Sequence, residues 1–525
     1  MTKTVLITTS GIGERLGNLT KFTNKSLVNV GDKYGICYII ESYDSNTDFI
    51  ITLGYYGNLV KDFLLLAYKN RNFIFVDVDN YSGKGSSLGY SLLQAKNYLQ
   101  KPFIFHCCDA IVTNHMNFDD NKNILCVIKC NSSEHYTNIK VNNDVVTEIN
   151  NKKHHDFDFV YTGISLINDY KQFWKNLENI YNSDKLNSSL NDVDSFKKMI
   201  QLDNCVFYYK VLDDWYDTGN VESYEMLKNI LKPKYSVISK NNESLCFFDT
   251  TVVKFVNDVK INEKRIKRGI YLYPLTPKLI RYSNNFIEME KIEGIVLSEY
   301  YKHGEVYNLL TWAKNNLWVN QNIDNEYKNN CYNFYINKTN SRINDLSFLK
   351  NKQEITIING INTDKISNLL NKIPLDILIT DTFYHFHGDF ILDNIMKTKD
   401  SYVLIDWRHE FDNQLTHGDI YYDLSKLRHN IIFNHKNILN KLYEINYNNE
   451  NITLDLKCNY FLIHQLYDFD KFIIDNGFDL KKIKIITSLI WINMSSLYDG
   501  LLSEFLFYFG KYNLFLSLQY NNNTI

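Results

Sequence analysis

Apolar positions along this chain follow two patterns. Near the start, Thr4-Val5-Leu6-Ile7-Thr8-Thr9 is an unbroken run of apolar and β-branched residues, expected to form a strand buried on both faces in a parallel sheet. Phe49–Leu53 and Phe73–Val78 have the same character, and Leu59–Tyr68 between them has helical spacing. A helix running to about Leu99 and a strand over Pro102–Cys108 continue this alternation. Leu231-Lys232-Pro233-Lys234 then closes a helix, because proline cannot extend it, so the chain is expected to divide into domains 1–232 and 236–525. Beyond the break, Tyr235–Ile238, Ser244–Phe248 and Thr251–Phe255 predict short strands. Leu309–Leu378 predicts polar helices, and Ile485–Leu497 and Phe505–Leu518 predict buried ones. Those last runs are too short and interrupted to span a bilayer, which needs about 20 apolar residues.

Composition narrows the class. With 525 residues the chain exceeds a single core, and two or three domains are expected. Lys and Arg total 57 against 60 Asp and Glu, a net charge of −3, with no basic block, so nucleic acid is not an expected partner. The nine cysteines form no CxxC pair and have no histidines at zinc spacing, which reads as reduced thiols of a cytoplasmic protein. Residues 1–9 lack the charged-then-apolar profile of a signal peptide.

The candidate chemistry of the first half begins where the first strand meets Ser10-Gly11-Ile12-Gly13-Glu14-Arg15-Leu16. Gly11 and Gly13 would let backbone amides approach a phosphate, with Arg15 and Lys25 to neutralise it. A Rossmann dinucleotide fingerprint would want a third glycine at position 16, which is Leu. Asp109 ends a strand, where open α/β sheets place their sites. The first loop, Leu19-Thr20 and Asn24-Lys25-Ser26-Leu27 together resemble the sugar-phosphate and phosphocholine nucleotidyltransferases, with Asn24 where that family usually has Pro. Ser82-Gly83-Lys84-Gly85 is similar to the family's second nucleotide loop, and Trp215-Tyr216-Asp217-Thr218-Gly219 to its late Trp-x-Asp-x-Gly motif. The resemblance covers residues 1–230. It implies a Rossmann-like α/β domain with a mixed, mostly parallel sheet. Asp109 and Asp217 would hold Mg2+, Arg15 and Lys25 would bind phosphate, and Gly85 would contact the nucleotide. Tyr161–Ile164 would lie on the acceptor side, and Glu148 and Lys152 lie near where the family often has Glu-Lys-Pro, with the spacing disturbed.

In the second half, His387-Gly388-Asp389 is followed by Asn394 and by Leu404-Ile405-Asp406. Phosphoryl transfer from ATP needs a base for the attacking hydroxyl and oxygen ligands for magnesium. Asp389 suits the first role, Asn394 and Asp406 the second. These residues resemble the aminoglycoside and choline/ethanolamine phosphotransferases, implying an α+β kinase-like domain with a largely helical C-lobe. Lys254, in Thr251-Val252-Val253-Lys254-Phe255, would hold the ATP phosphates, with Glu263 as its carboxylate partner. Phe286–Gly294, including Glu290, would meet the adenine, and Asp423 would brace the catalytic loop. Together the halves resemble fused choline kinase–phosphocholine cytidylyltransferases: ATP would phosphorylate a small amino-alcohol, and CTP or another NTP would convert the product to a nucleotide-linked form. The alternative is a sugar kinase joined to a sugar-1-phosphate nucleotidyltransferase. A non-catalytic nucleotide sensor is disfavoured because every expected site residue is present.

Overall fold

The computed structural model describes residues 3–519 apart from 119–120, 131–133, 151–155, 235–241, 322–326, 352, 380–382, 449 and 458–459. The chain divides into two compact units, Met1–Val259 with Ile280–Met289, and Lys260–Leu279 with Glu290–Ile525.

The first unit is built on a nine-stranded mixed sheet. Its spatial order is Asn72–Asp77, Asp48–Leu53, Thr4–Thr8, Phe103–Cys107, Phe159–Ile167, Asn123–Ile128, Phe207–Val211, Val145–Asn150, Asn138–Asn142. The first four run parallel, and Phe159–Ile167 is antiparallel to Phe103–Cys107. Successive side chains of Thr4–Thr8 enter different cores, as the two-residue period of a strand requires. Val5 and Ile7 pack with Ile36 and Ile40 of helix Gly35–Glu41 and with Phe63 of helix Gly57–Ala67. Leu6 packs with Leu92, Trp174 and Phe196 from the helices on the opposite face. Burial on both sides explains why this segment carries no polar alternation. Asn72–Asp77, the edge strand, instead alternates exposed positions with half-buried or buried ones.

A four-stranded sheet follows, ordered Glu243–Phe247, Thr251–Val256, Phe286–Glu290, Leu279–Tyr282. Cys246, Val253, Phe255 and Phe286 share one core with the helices Gly35–Glu41 and Gly57–Ala67. Asn29 Nδ2 donates to the Leu245 carbonyl at 2.6 Å, and the Tyr34 and Ser244 hydroxyls meet at 2.7 Å. These contacts place Glu243–Val256 in the first compact unit, whereas the sequence pattern assigned everything after 236 to the second portion. The expected strand Tyr235–Ile238 and turn 239–241 lie outside the described residues.

The second unit mixes short strands with many helices. Leu480–Ser495 and Gly500–Gln519 are the buried helices expected from their spacing. They approach closely at Gly510, where an added Cβ would stand 2.7 Å from Ile492 Cγ1. Among the described residues no helix is long and apolar enough to cross a membrane. Leu309–Leu378 is less uniformly helical than its pattern suggests. It contains strands Ile357–Ile358 and Ile361–Asn362, the former paired in parallel with Asn451–Leu456. That partner is remote in sequence, so the local pattern carries no trace of the pairing. All eight described cysteines are free thiols; Cys458 lies outside the described residues.

Candidate active sites

In the first unit, strand Thr4–Thr8 delivers the glycine loop at its C-terminal end. Gly13 adopts φ +72° and starts the 3-10 helix Glu14–Thr20, a left-handed backbone that glycine adopts without strain. A Cβ at Gly11 would meet nothing within 4 Å, so its backbone borders open space. The loop is braced by Asn24, which is fully buried. Its Nδ2 donates to the carbonyls of Thr9 (2.8 Å) and Tyr55 (2.6 Å). Its Oδ1 accepts from the Ser26 amide (2.9 Å) and hydroxyl (2.8 Å), starting the turn Lys25–Leu27. Asn24 thus fixes Lys25 by hydrogen bonds where a proline would fix the chain covalently. In the second loop, Gly85 has φ +83° and donates its N–H to Ser188 Oγ at 3.0 Å. Ser87 caps helix Leu88–Ala95, and Ser91 in its first turn meets Ser10 Oγ at 2.8 Å, so that helix start abuts the first loop.

Asp109 and Asp217 come together through a short antiparallel pairing in which Asp217 lies opposite Ala110. The Thr218 amide and hydroxyl both donate to the Asp109 carbonyl, at 2.9 and 3.1 Å. A Cβ built on Gly219 would sit 3.0 Å from Asp217 Oδ1, 3.0 Å from Arg15 Nη2 and 3.2 Å from Asp109 Oδ2, so the three groups converge on one point. Lys25 Nζ lies 3.3 Å from Asp109 Oδ2, and the Cys107 thiol donates to Asp109 Oδ1 at 2.7 Å. Burial would raise the Asp109 carboxyl, but Lys25, the Cys107 hydrogen bond and Arg15 outweigh it and hold the group at about 2. Asp217 is pushed the other way, by burial and then by the negative charge of Asp109. Its oxygens accept from the Gly219 amide (2.7 Å) and the Tyr136 hydroxyl (3.2 Å).

This donor set suits magnesium: two hard carboxylate oxygens whose mutual repulsion a cation would relieve. Among the described residues no group of three or more His, Cys, Asp or Glu converges, so nucleotide phosphates and water would complete the coordination.

In the second unit, the segment 387–394 is clamped from helix Ile420–Ile432. The buried Asp423 accepts from the amides of His387 (2.8 Å) and Gly388 (2.7 Å) and from Trp318 Nε1 (3.1 Å). His387 is buried and its imidazole is lowered to about 4, chiefly by burial, so it is neutral at pH 7. Its Nδ1 accepts from the Asp389 amide (3.2 Å) while Nε2–H donates to the Ile405 carbonyl (3.0 Å), so both ring nitrogens are spent on orienting the loop. Asp389 Oδ1 lies 2.7 Å from Lys426 Nζ, and its Oδ2 accepts from Asn394 Nδ2 at 3.0 Å. Burial would raise the Asp389 carboxyl, but Lys426 holds it at about 2. Asn394 spends its amide nitrogen on Asp389, which leaves the amide oxygen for a cation. The Ile405 amide donates to the Asn394 carbonyl at 2.8 Å, and Asp406 follows it, just past the end of strand Tyr402–Leu404. Asp406 holds φ +51°, a left-handed backbone unusual for a residue with a Cβ and concentrated at functional sites. An amide oxygen and a carboxylate oxygen are hard donors of the kind magnesium takes.

The other expected positions have the following surroundings. Lys254 is buried on its strand and pairs with Glu243 on the neighbouring strand at 3.3 Å, while Glu263 is exposed on helix Val259–Leu272. The Glu290 side chain is exposed, and its amide donates to the Lys278 carbonyl at 3.0 Å. Tyr161 turns into the core, its hydroxyl on Asp192 at 2.8 Å. Lys152 lies outside the described residues. Lys426, Tyr136 and Cys107 were not expected at the sites. Only Lys426 had a sequence signal, falling three residues after Asp423 and so on the same helix face.

No protein-family model and no curated protein sequence matches the chain. Among solved structures, its N-terminal part is similar to a CTP:phosphocholine cytidylyltransferase from Streptococcus pneumoniae, at 21% identity over 44% of this chain and 100% of that one, with a TM-score of 0.38. It is also similar to an inositol-1-phosphate CTP transferase from T. maritima, at 16% identity over 45% of this chain and 98% of that one, TM-score 0.35. A UTP-bound UDP-glucose pyrophosphorylase from Acinetobacter baumannii is similar at 15% identity over 43% of this chain and 92% of that one, TM-score 0.35.

Proposed function

We propose that the chain is a bifunctional transferase that phosphorylates a small alcohol with ATP and then joins the phosphomonoester to a nucleotidyl group, CMP from CTP, releasing pyrophosphate. The observation that supports this reading is a carboxylate with flanking polar and cationic groups in each unit separately: Asp109 and Asp217 with Lys25 and Arg15, and Asp389 with Asn394 and Lys426. In the second unit, the alcohol oxygen attacks the γ-phosphorus, ADP leaves, and the hydroxyl proton passes to Asp389. With its carboxyl held at about 2, Asp389 is a weak base. A loose phosphoryl transition state asks it chiefly to orient the hydroxyl and receive a proton released late. In the first unit, a phosphomonoester oxygen attacks the α-phosphorus of the nucleotide, while Lys25 and Arg15 offset the charge building on the phosphates. Magnesium at each pair of oxygen ligands would screen repulsion between the phosphates.

The test is mass spectrometry of products formed by the full chain from ATP, CTP, magnesium and a pooled alcohol library. ADP, pyrophosphate and a CDP-linked alcohol are expected. Asp109→Asn should stop the second step and let the phosphorylated alcohol accumulate. A sugar-1-phosphate consumed with UTP would identify the acceptor as a sugar; neither ADP nor pyrophosphate from any mixture would refute the proposal.

A further inference from the structure

The amino-alcohol expected from resemblance would bring a cation to the second unit, but the surroundings of Asp389 are cationic already. Arg408 packs on the catalytic turn, its Cβ 2.6 Å from where a Gly388 Cβ would stand, and its amide donates to the His387 carbonyl at 3.1 Å. The Arg408 guanidinium and the Lys338 ammonium both lie over the Phe334 ring, at 5.0 and 4.3 Å from its centroid. Arg342 follows Lys338 by one turn on helix Lys338–Asn344, which puts both on one face. Lys426 completes the group at 2.7 Å from Asp389. Of the four, only Lys426 has an ionic partner among the described residues. Arg342 Nη1 donates to the Asn493 carbonyl and Arg408 Nε to the Glu410 carbonyl, both at 2.8 Å. Asp412 and Asp345 act on Lys338 and Arg342 only from beyond ion-pair distance, and the Asp412 carboxylate accepts from Asn333 Nδ2 at 3.3 Å. Burial first, then Arg408, Arg342 and Lys426, pushes the Lys338 ammonium well below its ordinary value, and the charge of Asp389 offsets this only in part.

Half-buried cations without counter-charges are costly to keep, and a bound anion relieves them. From this arrangement we infer that the alcohol accepted by the second unit carries an anionic group, a carboxylate or a phosphate, held by Lys338, Arg342 and Arg408 while its hydroxyl faces Asp389. The inference rests on the phosphotransferase reading of Asp389, and the reaction is unchanged: the hydroxyl oxygen takes the γ-phosphoryl group, ADP leaves, and the proton goes to Asp389. A quaternary ammonium at this position would meet like charge.

The experiment measures ADP formation by the full chain with magnesium and ATP across size-matched acceptors. Glycerate and glycerol phosphate are the anionic members, glycerol the neutral one, and ethanolamine and choline the cationic ones. Anionic acceptors should lead in kcat/KM by about tenfold or more, and glycerate against glycerol phosphate decides between carboxylate and phosphate. Lys338→Gln and Arg342→Gln should each raise the KM for that acceptor about tenfold with a smaller change in kcat, and Lys338→Arg should restore it. A preference for glycerol, ethanolamine or choline overturns the inference and leaves the phosphotransferase reading standing. A Lys338→Gln defect in the KM for ATP alone also overturns it, assigning the cluster to the nucleotide. No ADP from any acceptor overturns both readings.

Discussion

At the scale of single residues, the two clusters use the same device in opposite settings. Asp109 and Asp389 are each half-buried carboxylates held at about 2 by a lysine, Lys25 and Lys426 respectively. Asp389→Asn should lower ADP formation by about a hundredfold to ten-thousandfold while pyrophosphate release from a supplied phosphomonoester persists, assayed side by side on one preparation. The sign of the pH effect follows from the lowered value. Asp389 is ionised, and able to take a proton, at every pH above about 2, so activity is lost only as pH falls through that value. Lys426→Met leaves burial unopposed, so the acid limb of kcat/KM should climb to or beyond the ordinary carboxylate value near ~3.9. A variant whose profile stays flat down to pH 4 would show that Lys426 does not govern Asp389. The approach of Asp109 to Asp217 and of Asp389 to Asn394 was legible in the sequence because each stands in a short motif whose neighbours the fold also uses. Lys338 and Arg408 were not, because neither belongs to a motif and only folding sets both over Phe334.

At the scale of elements, legibility tracked burial. Thr4–Thr8, Asp48–Leu53 and Phe103–Cys107 read as strands because their apolar runs are covered on both faces. The pairing of Ile357–Ile358 with Asn451–Leu456 left no local mark, since two-residue strands owe their existence to a remote partner. Asn24 looked like a defect in the first loop, yet its amide makes four hydrogen bonds that tie three segments together. Asn24→Ala would orphan the buried Ser26 amide and the Thr9 and Tyr55 carbonyls, at about 1–3 kcal/mol for each buried group left unmet. The expected result is a lower melting temperature of the first unit by calorimetry and a raised KM for the nucleotide. Asn24→Pro should recover less than full stability, because Thr9 and Tyr55 would still lack donors.

At the scale of the whole molecule, the proposed reading gives each unit its own oxygen ligands, so the two reactions should be separable in one polypeptide. Full-length Asp389→Asn and full-length Asp109→Asn proteins, each unable to make the final product alone, should make it when mixed, because the phosphorylated alcohol can diffuse from one to the other. Product mass spectrometry against time checks this, and a mixture as inactive as its components would mean the intermediate never leaves the chain that made it. The four-stranded sheet bears on how the protein can be handled. Cys246, Val253, Phe255 and Phe286 complete the core over helices Gly35–Glu41 and Gly57–Ala67. A scissile site engineered at Pro233 would therefore strip an oily lid from the N-terminal half and leave it prone to clumping, so any working dissection must carry the lid along with that half.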